Sequence, residues 1–213
     1  MATTANEQTL TLAIHYLSKA DPSLAPVIAS SPLPDLHPHQ NYYQELVDSI
    51  ISQQLSVKAA RTIEKRFCEL FGGADFPLPE QILTKDIEEL RSAGLSRPKA
   101  AYIRDLAQHV VDGKVKFGHL DSLSNDEVIA ELTAVKGIGE WTAHMFLMFC
   151  MGRLDVLPSG DLGIRNGVRA LYGLDHCPQS DEVKVLAQKN QWHPYESVAA
   201  WYLWQSLDNA PAI

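Results

Sequence analysis

Three short stretches concentrate residue types that can do chemistry. The first is Leu157-Pro-Ser-Gly-Asp-Leu-Gly-Ile-Arg165, where Asp161 follows Gly160 and Gly163 stands two residues on. A carboxylate at a helix mouth caps it by accepting backbone N–H bonds. Such bonds favour the charged form of a carboxyl group, which is also what an electrostatic catalyst needs. The residue type alone fits both roles. The second stretch is Leu132-Thr-Ala-Val-Lys-Gly-Ile-Gly-Glu-Trp-Thr-Ala143, with a tight turn at Lys136-Gly137-Ile138-Gly139. Its glycines permit positive φ and let an anion approach the backbone. The turn opens onto a helix N-terminus, whose free N–H groups attract negative charge. An ordinary turn between two helices has the same pattern. The third stretch, Gln53-Gln54-Leu55-Ser56, is a polar loop between two apolar helical segments.

The elements that must position these stretches read as helices. Leu10 to Leu17 is amphipathic, and Pro22 to Pro38 is a proline-rich connector with one short helix. Leu46, Ile50 and Ile51 recur at helical spacing, which predicts a buried helix over Tyr42–Gln54. Ser56 is the expected N-cap of a helix to Phe71, ended by Gly72-Gly73. A helix over Pro98–Asp112 has Pro near its start and Gly113 after its end. Ser124 with Glu127 forms a capping box for a helix to about Thr133. An apolar helix follows over Glu140–Met151. Asp161 caps a helix to Tyr172, Ser180 another to about Lys189, and Pro194 begins the last, ending near Leu207. Alternating strand patterns are few and Asn-Gly hairpins are missing, so the expected fold is all-α.

With 213 residues, the chain can bury a sizeable core. No apolar run approaches the length of a membrane span. Met1 to Glu7 carries neither a basic nor an apolar segment of the kind that directs secretion. Cys68, Cys150 and Cys177 are too few and too widely spaced for a disulfide framework, which points to a reducing compartment. The formal net charge is −8, which taken alone argues against a polyanion partner. The acidity sits at the ends, however. Residues 1–56 carry −4 and 174–213 carry −3, whereas 96–173 balance to 0. The middle of the chain is therefore free to present a neutral or basic face.

Taken together, the hairpin Gly137 to Ala143 and Asp161 about twenty residues later resemble the helix-hairpin-helix DNA glycosylase superfamily. Leu46-Val-Asp-Ser-Ile-Ile-Ser-Gln-Gln-Leu-Ser-Val57 is similar to that family's helix and minor-groove wedge loop. Trp192-His-Pro-Tyr-Glu-Ser-Val198 with Trp201-Tyr-Leu-Trp204 is similar to the C-terminal segment of its alkylpurine branch, the DNA-3-methyladenine glycosylase II type. The resemblance covers about residues 40–207. It implies one glycosylase-like domain over 1–213, with 1–39 as an N-terminal extension, and two helical lobes with a cleft between them.

The resemblance also implies roles. Asp161 is the catalytic carboxylate, and Trp141 and Tyr195 offer π-faces to an electron-poor base. Core packing is the competing reading for both aromatics, and Trp201 and Trp204 read as core. Lys136, Gly137, Ile138, Gly139 and Thr142 form the DNA-binding hairpin. Gln53, Gln54, Leu55 and Ser56 form the wedge, or else only a polar turn. Backbone carbonyls near Ala134, Lys136 and Gly139 hold a monovalent cation. Trp141 occupies the position of the Schiff-base lysine of bifunctional members, so no imine forms and no lyase step follows. Cys177 alone cannot replace the four cysteines of an iron–sulfur cluster. His144 and His193 read as structural or surface residues.

The implied activity is base-excision repair: binding damaged double-stranded DNA, flipping the lesion and hydrolysing the N-glycosidic bond of an alkylated purine. The expected state is a monomer with no membrane partner, in the nucleus of a eukaryote or the cytoplasm of a bacterium. Four departures from the family pattern keep other readings open. Glu196 stands where an Arg is usual, Gly160 replaces a second side chain before Asp161, Gly163 adds backbone freedom after it, and Ser56 is small for a wedge. One alternative is a catalytically weak or inactive homologue that binds abasic or distorted DNA. A more distant one is a helical protein-interaction module.

Overall fold

The computed structural model describes residues 4–207, except His37, His39, Gln40 and Ala74. Its α-helices are α1 (Glu7–Ala20), α2 (Ala25–Ser30), α3 (Tyr42–Ser52), α4 (Val57–Glu69), α5 (Pro79–Leu83), α6 (Ile87–Arg91), α7 (Arg97–Val111), α8 (Asn125–Thr133), α9 (Glu140–Met145), α10 (Leu162–Tyr172), α11 (Ser180–Lys189) and α12 (Glu196–Gln205). Among the described residues, β-pairing is limited to an isolated bridge between Thr4 and Arg153. The chain is all-helical, as expected. Residues 1–3 of the polar N-terminus lie outside the described residues.

The helix starts follow local chemistry. Ser56, Ser96 and Ser124 each accept a backbone N–H three residues on and cap α4, α7 and α8. The Glu127 carboxylate in turn accepts the Ser124 N–H at 2.8 Å, completing the capping box. The cap of α11 is one residue earlier than the sequence suggests. Gln179 holds that position, its N–H donating to the Glu182 carboxylate at 2.7 Å. The apolar run after the hairpin is not one α-helix. After Met145 the backbone widens into a five-residue π-helix, Phe146–Cys150, with every side chain buried.

The chain divides into two compact units, residues 40–143 and residues 1–39 with 144–213. In the first, α3 buries Leu46, Val47, Ile50 and Ile51 and packs on α4 and α7, while α5 and α6 also pack on α7. In the second, α12 is buried on every face from Ser197 to Trp204, because α1, α2 and α10 all pack on it. The helices α1 and α2 are thus an integral part of that unit. A Cβ on Gly167 would stand 2.7 Å from the Leu203 carbonyl oxygen, so the close crossing of α10 and α12 requires glycine there.

Candidate functional site

The hairpin turn is built from its buried residues outward. Val135 and Ile138 are 1% and 4% exposed and anchor the turn. Ile138 N–H donates to the Val135 carbonyl at 3.2 Å. Gly137 has φ +88°, and a Cβ there would fall 2.2 Å from the Tyr102 ring, so both conformation and space demand glycine. Gly139 differs: its φ is ordinary for any residue and nothing lies within 4 Å of where its Cβ would be. That open face is what an approaching strand needs. Lys136 N–H donates to Asp105 Oδ2 at 2.8 Å, so its backbone supports the turn while its side chain remains exposed.

Two hairpin side chains point into the packing. Thr142 is only 7% exposed, so its side chain belongs to the packing beneath the turn and its backbone is what the hairpin can offer a ligand. The Ile138 side chain is likewise an anchor. Trp141 goes the other way: it is 51% exposed, which rules out the core reading for this residue.

The loop between α3 and α4 separates into a root and a tip. Gln53 Nε2 donates to the Gly137 carbonyl at 3.0 Å. Its side chain is committed to the hairpin in this structure. Ser56 Oγ accepts the Ala59 N–H at 3.4 Å and acts as a cap; this also accounts for its small size. The tip consists of Gln54 and Leu55, both exposed. Gln54 has φ +57°, a left-handed conformation that is uncommon for a non-glycine residue and tends to occur at functional loops.

Asp161 sits at the mouth of α10. Its backbone is fixed by donation to the Pro158 carbonyl at 2.9 Å. Its Oδ1 accepts the Ile164 N–H at 2.8 Å and the Trp204 indole N–H at 2.9 Å. Trp204 is buried and stacks on Phe149, with ring centroids 6.2 Å apart. The core reading of Trp204 was therefore incomplete, because its polar edge orients the carboxylate. No local signal marks a donor 43 positions along the chain. Gly163 also has a different role from the one expected. A Cβ there would lie 2.9 Å from Trp204 Nε1 and 3.0 Å from Asp161 Oδ1. Glycine makes room for the indole–carboxylate bond and does not loosen the site. Gly160 is exposed, with nothing within 4 Å of a Cβ.

Tyr195 is half-buried at the start of α12, its ring edge-on to Tyr16 with centroids 5.3 Å apart. It belongs to one unit and Trp141 to the other. Glu196 Oε1 is 2.9 Å from Nδ1 of His193, a largely exposed side chain. The carboxylate that replaces the usual arginine thus has its own partner.

Residues 47–191 match the HhH-GPD superfamily of base excision DNA repair proteins. The chain is 39% identical over 165 residues to DNA-3-methyladenine glycosylase 1 of Schizosaccharomyces pombe, covering 77% of this chain and 72% of that protein. Its structure is similar to that of a DNA-3-methyladenine glycosidase from Bacillus halodurans, with a TM-score of 0.81 and 41% identity, covering 91% of this chain and 88% of that one. It is also similar to the S. pombe 3-methyladenine DNA glycosylase Mag1 in complex with abasic DNA. There the TM-score is 0.77 and the identity 35%, over 93% of this chain and 97% of that one.

Proposed function

The chain belongs to the HhH-GPD superfamily of base excision DNA repair proteins, and from that membership we propose that it excises alkylated purines from double-stranded DNA by hydrolysis alone. The observation that carries this reading is Asp161, an N-cap carboxylate held by a backbone N–H and an indole N–H at a glycine-cleared helix mouth.

In this reading the open face at Gly139 meets a phosphate, and Gln54 and Leu55 enter the space left by the extruded nucleotide. An alkylated purine carries positive charge or is electron-poor, so it leaves readily. As the C1′–N bond lengthens, positive charge grows on the deoxyribose, and the Asp161 carboxylate stabilises it. At ~4 Å and an effective dielectric of 20, such a pair is worth up to about 4 kcal/mol, or about three decades in rate. A water adds to C1′ and gives its proton to Asp161, and the purine departs with the bonding electrons. Trp141 has no amine, so no covalent imine forms and the strand stays unbroken. The exposed Trp141 indole offers a stacking face for the base.

The protein acts as a monomer in this proposal. The carbonyls near Ala134, Lys136 and Gly139 would hold a monovalent cation, which would supply positive charge for binding a phosphate. The Gly139 carbonyl accepts the Ala143 N–H at 3.0 Å and keeps a second lone pair for that role.

The test is release of free base from methylated duplex DNA, run beside binding to an abasic duplex. Release supports the enzyme. Tight abasic binding without release supports a lesion-binding homologue, and a protein that shows neither has no DNA role.

A further inference from the structure

The side chains that support the loop tip and the hairpin turn lie in one row on α7. Lys99, Tyr102 and Asp105 are spaced three residues apart, so they follow one another along a helix face. Lys99 Nζ donates to the carbonyls of Ile51 at 2.8 Å and Gln53 at 2.5 Å. These belong to the end of α3, where carbonyls run out of helical partners. The ammonium also lies at the negative end of that helix. Its partial burial pushes the amine below its usual range, and no carboxylate pairs with it among the hydrogen bonds and ion pairs described. Tyr102 packs where any side chain on Gly137 would collide. Asp105 accepts the Lys136 N–H at 2.8 Å. Gln53 closes the circuit, its backbone held by Lys99 and its side chain donating to the Gly137 carbonyl at 3.0 Å.

We propose that Lys99 is a positioning residue for lesion recognition, fixing the height of the Gln54–Leu55 tip relative to the hairpin so that the phosphate grip and the minor-groove insertion occur as one rigid step. The inference rests on the DNA-repair reading above. Lys99 would otherwise be counted as one more lysine for phosphate, yet its amine is spent on two carbonyls. The left-handed Gln54 needs such support, because strained backbone persists only where its surroundings over-determine it.

The experiment compares wild type, Lys99→Met, and Lys99→Met combined with Leu55→Ala. Binding to an abasic duplex and to an intact duplex is measured across a salt series, with a thermal melt of each protein. Lys99→Met is expected to lower the preference for the abasic duplex by about 10-fold. Intact-duplex affinity and its salt dependence should stay as in wild type, and Lys99→Met should add nothing once Leu55 is truncated. A phosphate-contacting lysine would instead weaken both duplexes alike and reduce the log–log salt slope by about 0.9; that result, or an unchanged preference, overturns the proposal. If Lys99→Met is unfolded at the assay temperature, Gln53→Leu decides, since it cuts only the tie to Gly137. A several-fold loss of preference supports the proposal and an unchanged preference overturns it. Wild type that fails to prefer the abasic duplex counts against the DNA-repair reading, so the two failures are distinguishable.

Discussion

At the mouth of α10 the supports act on a side chain, whereas in the α3–α4 loop they act on backbone. Asp161 Oδ1 takes donors from Ile164 and Trp204. In the loop, Lys99 holds the carbonyls of Ile51 and Gln53, and the Gln54 and Leu55 side chains are left exposed. The difference follows from what each group must deliver. A charge loses its effect when it is misplaced by an ångström, so the carboxylate itself is fixed. Under the proposed function the loop tip is a wedge, which needs a fixed base and an adaptable tip, because it would have to fill whatever gap the flipped nucleotide leaves.

Replacing Asp161 with Asn tests the charge side most severely. The cap survives, since Asn is as good an N-cap as Asp, and the indole still finds an oxygen. Base release should fall by about three decades while lesion binding holds or tightens, because the charge favours the transition state over the ground state. Single-turnover rates with a thermal melt alongside check this. Trp204→Phe keeps most of the packing and removes one donor. Its expected cost is about 10-fold in release rate, with abasic-DNA affinity little changed. If affinity falls and the rate does not, Trp204 is only a core residue.

On the loop side, Gln54→Ala with Leu55→Ala should lower the preference for damaged over intact duplex by several-fold. Intact-duplex binding should fall less. Equal losses on both duplexes would make this loop an ordinary contact and erase the contrast with Asp161.

Another carboxylate shows what the donors at Asp161 prevent. Asp48 lies on α3, one turn before the loop, with Oδ1 buried and lacking a hydrogen-bond partner. Burial, then the nearby Glu64 carboxylate, push its carboxyl up to about 7; the Gln44 side chain opposes this and Glu45 adds to it. An unfolded Asp titrates near 4. Between these values the folded chain keeps a proton that the unfolded chain has lost, so stability falls as pH rises from about 4 to 7 and levels off above. Asp48→Asn should therefore be more stable than wild type at pH 8, by on the order of 1–2 kcal/mol because water still reaches part of the group. The gain should shrink at pH 5. Urea melts at the two pH values decide it, and a gain independent of pH would place the effect in packing instead.

Local chemistry was legible in the sequence. Ser56, Ser124 and Asp161 each cap the helix expected of them, because a cap and its partner lie within three residues. The turn glycine at 137 was legible for the same reason. Contacts across long stretches of chain were not. Nothing near Lys99 indicates that its amine reaches Ile51 and Gln53, and nothing near Trp204 points to Asp161. The π-helical turn at Phe146–Cys150 escaped as well, since a uniformly apolar run carries no period from which to read a change of winding.

The account depends most on water, not a protein amine, attacking a sugar stabilised by Asp161. A time course on end-labelled methylated duplex, quenched with and without borohydride, tests that directly. The expected result is free alkylpurine accumulating while the strand stays whole until alkali is added, with no protein–DNA adduct after borohydride. A trapped adduct, a nick without alkali, or no released base would contradict it.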